Sequence, residues 1–411
     1  MIDPDTSSDQ GSSSPELPST ARWSAWVDES CRVVEATGQW RRPRTFDASG
    51  PSGLLEGALT AADDTAVVSF ASNDYLGLAS HPDVVAAAHG ALDRWGTGSG
   101  ASRLVTGSRP IHVELERELA SWKQCEQAVT FPTGFAANLS VLSVFGAEGA
   151  HVFSDELNHA SIVDGCRMAR AGVTVFTHGD LAELDGALAR CRDRPIIVSD
   201  TVFSMDGDTA DVQGLVDLAE RHGALLVLDE AHAVLGPELP GTSSGRPASI
   251  LRVGTLSKAL GSLGGFVAGP GRYVDLLVNR ARAYIFTTAP TPADAAAALA
   301  ALGVVRSDGG RSLRATLARH VARVAAAVDR HQCTSPIVPV VIGDERDAMA
   351  ASDALLALGL WVPAIRPPTV PRGTSRLRIT LSSLHTEEQV DRLLLGLVGL
   401  GLGNRGAGGA P

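Results

Sequence analysis

Short apolar runs that alternate with helical patterns constrain the fold of this chain more than any other feature. Seven such runs, each bounded by turn residues, lie at 128–131, 151–154, 173–176, 195–199, 224–229, 252–256 and 264–269. Segments with a 3.6-residue apolar period lie before and between these runs. One of them contains Ile111, Leu115 and Leu119 on one face. Because strands that alternate with helices form parallel sheets covered on both faces, the pattern predicts an α/β fold with a mostly parallel central sheet.

The pattern changes after a Thr- and Pro-rich turn at 287–292. A long Ala-rich helix is followed by the strand candidates IVPVVIG, LWVPAI and RLRITLS, which indicates a smaller α+β domain. The predicted organisation is a disordered tail (1–20), an N-terminal segment (21–65), a large domain (66–290), a small C-terminal domain (291–402) and a flexible tail (403–411).

The segment RLRITLS predicts a strand with one apolar face. Its alternation places Leu377, Ile379 and Leu381 toward the interior. The helix after it should begin with a capping box, since Thr386 and Gln389 have the required spacing.

Composition excludes several classes of function. The formal net charge is -11 and no basic cluster is present, which argues against nucleic-acid binding. No apolar stretch approaches the roughly 18 residues that a membrane helix needs. The cysteines lack the paired spacings of zinc sites or disulfide frameworks, so no metal is expected and a reducing cytoplasm fits best. They are Cys31, Cys125, Cys166, Cys191 and Cys333.

Lysine is rare: of 35 basic residues only Lys123 and Lys258 are lysines. Lys123 should end a helix, where a surface position near acidic neighbours explains its charge. Lys258 lies in GTLSKALGSLGG, an uncharged Gly-rich segment after a strand, with room for a planar ligand. A desolvated lysine loses its proton more easily and can attack an aldehyde, so Lys258 is the candidate nucleophile.

Three further features follow predicted strands, where open α/β sheets bind ligands. In ALLVLDEAH the predicted strand ends at Asp229, and His232 follows three residues later. A buried carboxylate at that strand end needs a cationic partner such as a pyridinium; a structural or Mg²⁺-binding aspartate is the alternative. Gly134 and Phe135 precede a helix expected near Ala136 and could hold a phosphate, or form a plain turn. His159 could stack on a ring or move a proton, or be an ordinary loop histidine.

The segment GTGSGA (96–101) matches a dinucleotide-binding pattern but follows a predicted helix rather than a strand. Since that pattern binds dinucleotides only between a strand and a helix, nicotinamide binding is not expected.

Seven motifs together resemble the α-oxoamine synthases of the fold-type I pyridoxal 5'-phosphate (PLP) enzymes, over residues 21 to 402. They are SNDYLGL (72–78), GTGSGASRLVTG (96–107), GFAAN (134–138), NHAS (158–161), FSMDGD (203–208), LDEAH (228–232) and TLSKALG (255–261). The resemblance implies a PLP-dependent acyltransferase that condenses a small amino acid with an acyl thioester and releases carbon dioxide.

The resemblance also implies roles for individual residues. Lys258 would form an imine with PLP, Asp229 would pair with the pyridinium, and His159 would stack on the ring. Ser204 and His232 would contact the phenolic oxygen. The phosphate would be bound by Thr255, the amides of Gly134 and Phe135, and, from the second subunit of a homodimer, Thr287 and Thr288.

Segment 364–385 is similar to the C-terminal signature of the branch that joins L-alanine to a pimeloyl thioester, carried by CoA or by acyl carrier protein. Two substrate carboxylates then need cationic partners. The candidates are Arg366, Arg376 and Arg378, of which the resemblance favours Arg366 and Arg378, together with Arg41 or Arg42. Asn73 of the SNDYLGL motif is a further, neutral candidate for binding the substrate. A solvated surface position is the alternative for each arginine.

Alternatives of other kinds stay open. Glycine acetyltransferases, 5-aminolevulinate synthases and sphingoid-base synthases share the cofactor residues. A PLP aminotransferase would need no thioester site. A catalytically silent binding protein of the same fold would need a substitution at the lysine or the pyridine-pairing aspartate, and neither position is substituted.

Overall fold

The computed structural model describes residues 19–57, 64–237, 239 and 249–404. It comprises two units, residues 1–45 and 46–411. The first contains helix α1 (Ser19–Ala36), and the elements that follow belong to the second. Apart from residues 19–20 and 403–404, the two predicted tails lie outside the described residues.

A seven-stranded sheet forms the centre of the second unit. In spatial order its strands are β4 (Gln127–Phe131), β10 (Gly265–Gly269), β9 (Ser249–Thr255), β8 (Leu225–Asp229), β7 (Arg194–Asp200), β5 (Ala150–Asp155) and β6 (Gly172–Phe176). From β9 to β6 all neighbours are parallel, whereas β10 runs antiparallel to β4 and β9. Each of the seven apolar runs forms one of these strands, which confirms the predicted α/β fold.

Helices cover both faces of this sheet. On one face, helices α4 (Gly134–Phe145), α5 (Ala160–Met168) and α8 (Gly271–Arg280) share a core with Val152 and Val227. On the other face, α6 (Leu181–Arg190) and α7 (Val212–His222) pack on Ile197 and Leu226. Successive strand residues therefore point into different apolar layers, as the two-residue period requires.

Two smaller sheets, seven further α-helices, a 3-10 helix (Leu78–Ser80) and a π-helix (Arg103–Gly107) make up the rest of the described part of the second unit. The four-stranded sheet has the order β1 (Phe46–Asp47), β2 (Ser52–Leu55), β3 (Thr65–Ser69) and β12 (Leu360–Trp361). The three-stranded sheet has the order β11 (Ile337–Gly343), β14 (Ser375–Thr380) and β13 (Ala364–Ile365). The remaining helices are α2 (Pro82–Trp95), α3 (Pro110–Lys123), α9 (Arg282–Ile285), α10 (Pro292–Arg306), α11 (Asp308–Ala327), α12 (Glu345–Ala357) and α13 (Glu387–Gly399).

The small sheets link distant parts of the chain. Strand β3 pairs in parallel with β12, so residues near the N-terminus share a sheet with residues of the predicted C-terminal domain. Helix α10 packs mainly on α2 and α3 of the predicted large domain. The predicted domain boundaries stay a prediction.

Strand β14 confirms the predicted alternation and adds a finding. Leu377, Ile379 and Leu381 are fully buried, but Arg376 and Arg378 on the opposite face are buried as well. The strand therefore separates an apolar core from a polar interior. Helix α13 begins with the predicted capping box, in which Thr386 and Gln389 bond each other's backbone.

The surface position predicted for Lys123 is wrong. Lys123 does end helix α3, but its side chain is only 11% exposed and its Nζ lies 2.7 Å from Oε2 of Glu230. Its burial depends on residues far along the chain, which helix periodicity does not register. A smaller difference concerns α4, which begins at Gly134, two residues before the predicted start.

Within the described part of the chain, no helix combines the length and the apolar character needed to cross a bilayer.

Candidate active site

A row of carboxyl groups marks the carboxyl-terminal edge of the central sheet. Asp155, Asp200 and Asp229 are the last residues of the adjacent strands β5, β7 and β8, and all three are buried. Because parallel strands end at the same edge, the topology brings together these groups, which are distant from one another in the sequence. Three buried acids in a row repel one another, so each needs a partner or a proton.

A chain of hydrogen bonds leads from Lys258 into the interior. Nζ of Lys258 lies 2.8 Å from Nε2 of His232, and Nδ1 of His232 lies 2.5 Å from the Tyr75 hydroxyl. That hydroxyl donates to Oδ1 of Asn73, at 3.1 Å, and Nη2 of Arg378 donates to the same oxygen, at 3.2 Å.

The direction of these bonds fixes the tautomer of His232. Since the Tyr75 hydroxyl donates its hydrogen to Asn73, its oxygen must accept a hydrogen bond from the Nδ1–H of His232. Nε2 is then the acceptor, and the Lys258 amine donates to it. Burial, with Lys258 and Arg378 nearby, holds the pKa of His232 well below its ordinary value, which keeps the ring neutral as this bonding requires.

The Lys258 side chain is partly buried, and no carboxylate of the described residues touches its amine. Burial lowers the pKa of its amine, and the more distant charges of Asp229 and Asp200 oppose that effect only in part. An amine with a lowered pKa is more often unprotonated near neutral pH, and the unprotonated form is the nucleophile. The role of Lys258 as the nucleophile stays a prediction.

Asp229 is held at both carboxylate oxygens. Nδ2 of Asn138, on α4, donates to Oδ2 at 2.6 Å, and the amide of Ala231 donates to Oδ1 at 2.9 Å. Asp229 is only 5% exposed. A carboxylate so deeply placed favours a cationic ligand group beside it.

Asp200, on the neighbouring strand, is a different kind of acid. Burial and then the nearby Asp229 raise its pKa well above the ordinary value. Its Oδ2 accepts the backbone N–H of His159 at 2.8 Å.

His159 precedes α5, and its own side chain caps that helix. Nδ1 accepts the N–H of Ser161 at 3.2 Å and lies 2.8 Å from the Ser161 hydroxyl. Burial lowers the pKa of the imidazole, with Asp229 opposing. The Asp200 bond and the cap together fix this ring at the carboxyl edge of the sheet.

The start of α4 and the end of β9 form a narrow cradle. The Thr133 hydroxyl caps α4 by accepting the Ala136 N–H at 3.0 Å, so the first amides of the helix, at Gly134 and Phe135, stay free to bind a ligand. A Cβ on Gly134 would lie 3.3 Å from Cβ of Thr255. Only a glycine leaves this space open between Thr255 and the helix start, which suits a small anion.

Arg378 reaches the same region from β14. Its Nε donates to the Ser204 carbonyl at 2.6 Å, its Nη1 to Thr380 at 2.8 Å, and its Nη2 to Asn73. These bonds use three of the five guanidinium N–H groups, which leaves two for a ligand. Arg376 differs, because it is committed to an ion pair with Asp206.

Other predicted residues are less directly joined to this cluster. Arg366 is half-buried, and its guanidinium has no hydrogen bond or ion pair with other described residues. Thr287 and Thr288 are exposed, and Thr288 pairs with Ser102 in the GTGSGASRLVTG loop. Arg41 is exposed in the first unit.

Three residues in the cluster were missed by the sequence analysis. Asp200 ends PIIVSD just as Asp229 ends ALLVLD, so the same strand-end signal was available for it. Tyr75 and Asn138 lie in quoted motifs, but their roles depend on contacts with His232 and Asp229, far along the chain.

Comparison with known proteins agrees with this geometry. The family model for aminotransferase class I and II matches residues 65–397. An 8-amino-7-oxononanoate synthase from Burkholderia mallei is 45% identical over 393 residues, which cover 91% of this chain and 97% of the relative.

Two solved structures are also similar. One is a serine palmitoyltransferase from S. paucimobilis with a bound PLP-myriocin aldimine (28% identity, TM-score 0.80, 94% of this chain and 100% of that chain). The other is an 8-amino-7-oxononanoate synthase from Francisella tularensis (26% identity, TM-score 0.68, 81% and 97%). The chain therefore belongs to the class I and II aminotransferase family of PLP-dependent enzymes, and within it groups with the 8-amino-7-oxononanoate synthases.

Proposed function

We propose that this protein is an acyltransferase that condenses L-alanine with pimeloyl-CoA, or with pimeloyl-acyl carrier protein, in biotin biosynthesis. The products are 8-amino-7-oxononanoate, carbon dioxide and a free thiol. The observation that carries the proposal is the partly buried Lys258 amine, hydrogen-bonded to neutral His232 near Asp229, in a chain 45% identical to an 8-amino-7-oxononanoate synthase.

The residues present fit PLP as the cofactor. Lys258 would hold it covalently, Asp229 would face the ring nitrogen, and His159 would lie against the ring. The hydroxyl of Ser204 and the ring of His232 would contact the phenolic oxygen. The cradle between Thr255 and the amides of Gly134 and Phe135, which a Cβ at Gly134 would narrow, suits the phosphate. PLP supplies an aldehyde for amines and a ring that withdraws electrons from the α-carbon.

The side chains of this protein have complementary tasks. The Lys258 amine would accept the α-proton of the substrate at Nζ. Asp229, held in place by Asn138, would face the ring nitrogen of the cofactor. The two free N–H groups of Arg378 bind the alanine carboxylate, with Arg366 and Asn73 beside it. Arg41 is proposed to bind the far carboxylate of the pimeloyl chain.

The complete site is proposed to need two copies of the chain. Thr287 and Thr288 are exposed, and Thr288 pairs with Ser102. In a homodimer they would reach the phosphate of the partner copy. A cytoplasmic location belongs to the same proposal, since the cysteines are free and their spacing suits no disulfide framework.

The test is thiol release by purified, PLP-loaded protein. L-Alanine would be combined in turn with pimeloyl-, acetyl-, succinyl- and palmitoyl-CoA and with pimeloyl-acyl carrier protein, and glycine and L-serine would then replace alanine. Release with alanine and a pimeloyl thioester alone supports the proposal, and the better of the two pimeloyl donors identifies the carrier. Preference for another pair would assign the protein to a sister synthase and contradict the roles given to its arginines.

Transamination is the outcome of a different kind. Loss of label from the α-carbon without release of thiol or carbon dioxide would indicate an aminotransferase. The Lys258→Ala variant serves as the control for background hydrolysis of the thioester.

A further inference from the structure

A second group of buried charges lies behind the carboxyl end of β8. Nζ of Lys123 is 2.7 Å from Oε2 of Glu230, and Nε of Arg252 is 2.6 Å from Oε1 of the same carboxylate. Nη1 of Arg252 donates to the Lys123 carbonyl at 2.8 Å, which closes the triangle. The three side chains are between 5% and 13% exposed. They are called the charge triad below.

The charge triad joins the two segments that carry the proposed cofactor residues. Glu230 directly follows Asp229 and lies two residues before His232. Arg252 lies on β9, three residues before Thr255 and six before Lys258. Consecutive residues of an extended chain point to opposite faces, so Asp229 faces the cluster while Glu230 faces the triad. A movement of Glu230 would therefore move Asp229 and His232 relative to Lys258.

Both the side chain and the backbone of Glu230 are held in place. Glu230 also donates its backbone N–H to Val253 of β9 at 2.8 Å, so side chain and backbone hold it to the same strand. Lys123 anchors the carboxylate from α3, and its Nζ lies 3.8 Å from the centroid of the Trp122 ring. Burial opposes ionisation of Glu230, but Lys123 and Arg252 outweigh it and keep the pKa of Glu230 below its ordinary value.

We infer that Lys123, Glu230 and Arg252 are positioning residues, which set the orientation of Asp229 and His232 toward the Lys258 amine and so tune how tightly PLP is held. The inference rests on the proposed roles of Asp229 and Lys258. Lys123, the second lysine of the chain, would therefore support the same site from the opposite side of the sheet.

The experiment uses the full-length protein with PLP removed and added back. The dissociation constant of PLP, the pH titration of the absorbance of bound PLP, and the melting temperature are measured for four variants. Glu230→Gln leaves two buried cations without a charged partner. Lys123→Met leaves a balanced pair of Glu230 and Arg252, so this variant should fold even if the first does not. Lys123→Arg keeps the charge. Glu387→Gln removes a carboxylate from an exposed ion cluster and is the matched control.

The inference is supported if the affinity for PLP falls by a different amount in each variant. Removing a residue that orients ligand-binding groups typically weakens binding by about tenfold or more, which is the change expected for Glu230→Gln, together with a shifted pH titration. Lys123→Met should show a smaller loss, Lys123→Arg should recover most of it, and Glu387→Gln should match the unchanged protein.

A purely structural triad gives another result. If Glu230→Gln, or Lys123→Met where the first variant does not fold, binds PLP with the unchanged dissociation constant and pH titration while melting lower, the inference is overturned. Failure of the proposed site itself is seen separately: borohydride would then not fix PLP on Lys258 of the unchanged protein.

Discussion

The two lysines of this chain lie on opposite sides of the end of β8, and burial lowers the pKa of both. They differ in what their amines touch. Lys123 touches a carboxylate at 2.7 Å, whereas Lys258 touches the neutral ring of His232 at 2.8 Å. The Glu230 carboxylate occupies the Lys123 amine and opposes the loss of its proton, whereas no carboxylate of the described residues touches the Lys258 amine. The difference explains why only one of them is suited to covalent chemistry.

The largest expected effect is the loss of one lysine compared with the other. Lys258→Arg should lower turnover by at least about 10^3-fold, because a guanidinium cannot replace the nucleophilic amine. Lys123→Arg should keep most activity. Thiol release measures turnover, and mass spectrometry after borohydride reduction locates bound PLP. Fixation of PLP on Lys123 would contradict the comparison.

A second large effect should separate the two neighbouring acids. Asp229→Asn removes a charge that the proposed chemistry needs, and turnover should fall by about 10^2- to 10^3-fold. Asp200→Asn replaces an acid whose pKa is raised well above its ordinary value, and an amide oxygen can still accept the His159 N–H. Turnover of that variant should stay within about tenfold. An equal loss in both would show that Asp200 is charged.

Two histidines extend the comparison to stability. Hydrogen bonds from His178 to Asp155 and Asp208 raise its pKa to about 10, whereas burial without a carboxylate contact lowers the pKa of His385 to about 4. His385 stacks on Phe70 and contacts the Ser69 carbonyl. One ring is therefore charged at neutral pH and the other is neutral.

The signs of the two pH dependences are opposite. The stability from His178 is fully present below the unfolded pKa near 6.5 and is lost as pH rises toward about 10. That from His385 is present above about 6.5 and is lost as pH falls toward about 4. His178→Asn should therefore lower the free energy of unfolding by about 1 to 2 kcal/mol at pH 6 and by less at pH 9. The effect at pH 6 is limited to this size because solvent screens part of the interaction.

Urea denaturation of His178→Asn and His385→Asn at several pH values measures both slopes. The deficit of His385→Asn relative to the unchanged protein should shrink between pH 6.5 and about 4. Parallel curves for the two variants would contradict the assignment of one charged and one neutral ring.

The sequence predicted the parts of the molecule that depend on neighbouring residues. Strand β8 is a continuous apolar run, so Asp229 at its end was readily identified, and the Gly-rich surroundings of Lys258 indicated a nucleophile. The burial of Lys123 was not predictable in this way, because its carbonyl bonds to Arg252, 129 residues further along the chain.

The same limit applies to Tyr75 and to the small sheets. Tyr75 orients His232 from 157 residues away, and β3 pairs with a strand of only two residues near position 360. Such short pairings carry almost no periodic signal, since their register is set by packing of the surrounding core. The fold class could therefore be predicted, whereas the partners of each buried charge could not.

The smallest effect is expected where charges touch without burial. Arg319 and Arg323 on α11 contact Glu387, and Arg323 also contacts Asp391 on α13, with all four side chains at least one-third exposed. Water screens these contacts and the long side chains lose freedom in forming them, so their net contribution is small. Glu387→Gln should lower the urea midpoint slightly at low salt and not measurably at about 1 M salt, where the Debye length falls to about 3 Å. Lys123→Met should lower the midpoint at both salt concentrations, because mobile ions do not enter the buried triad. A salt-independent loss for Glu387→Gln would mean that an exposed ion pair stabilises the protein as a buried one does, which would contradict the weight given to burial here.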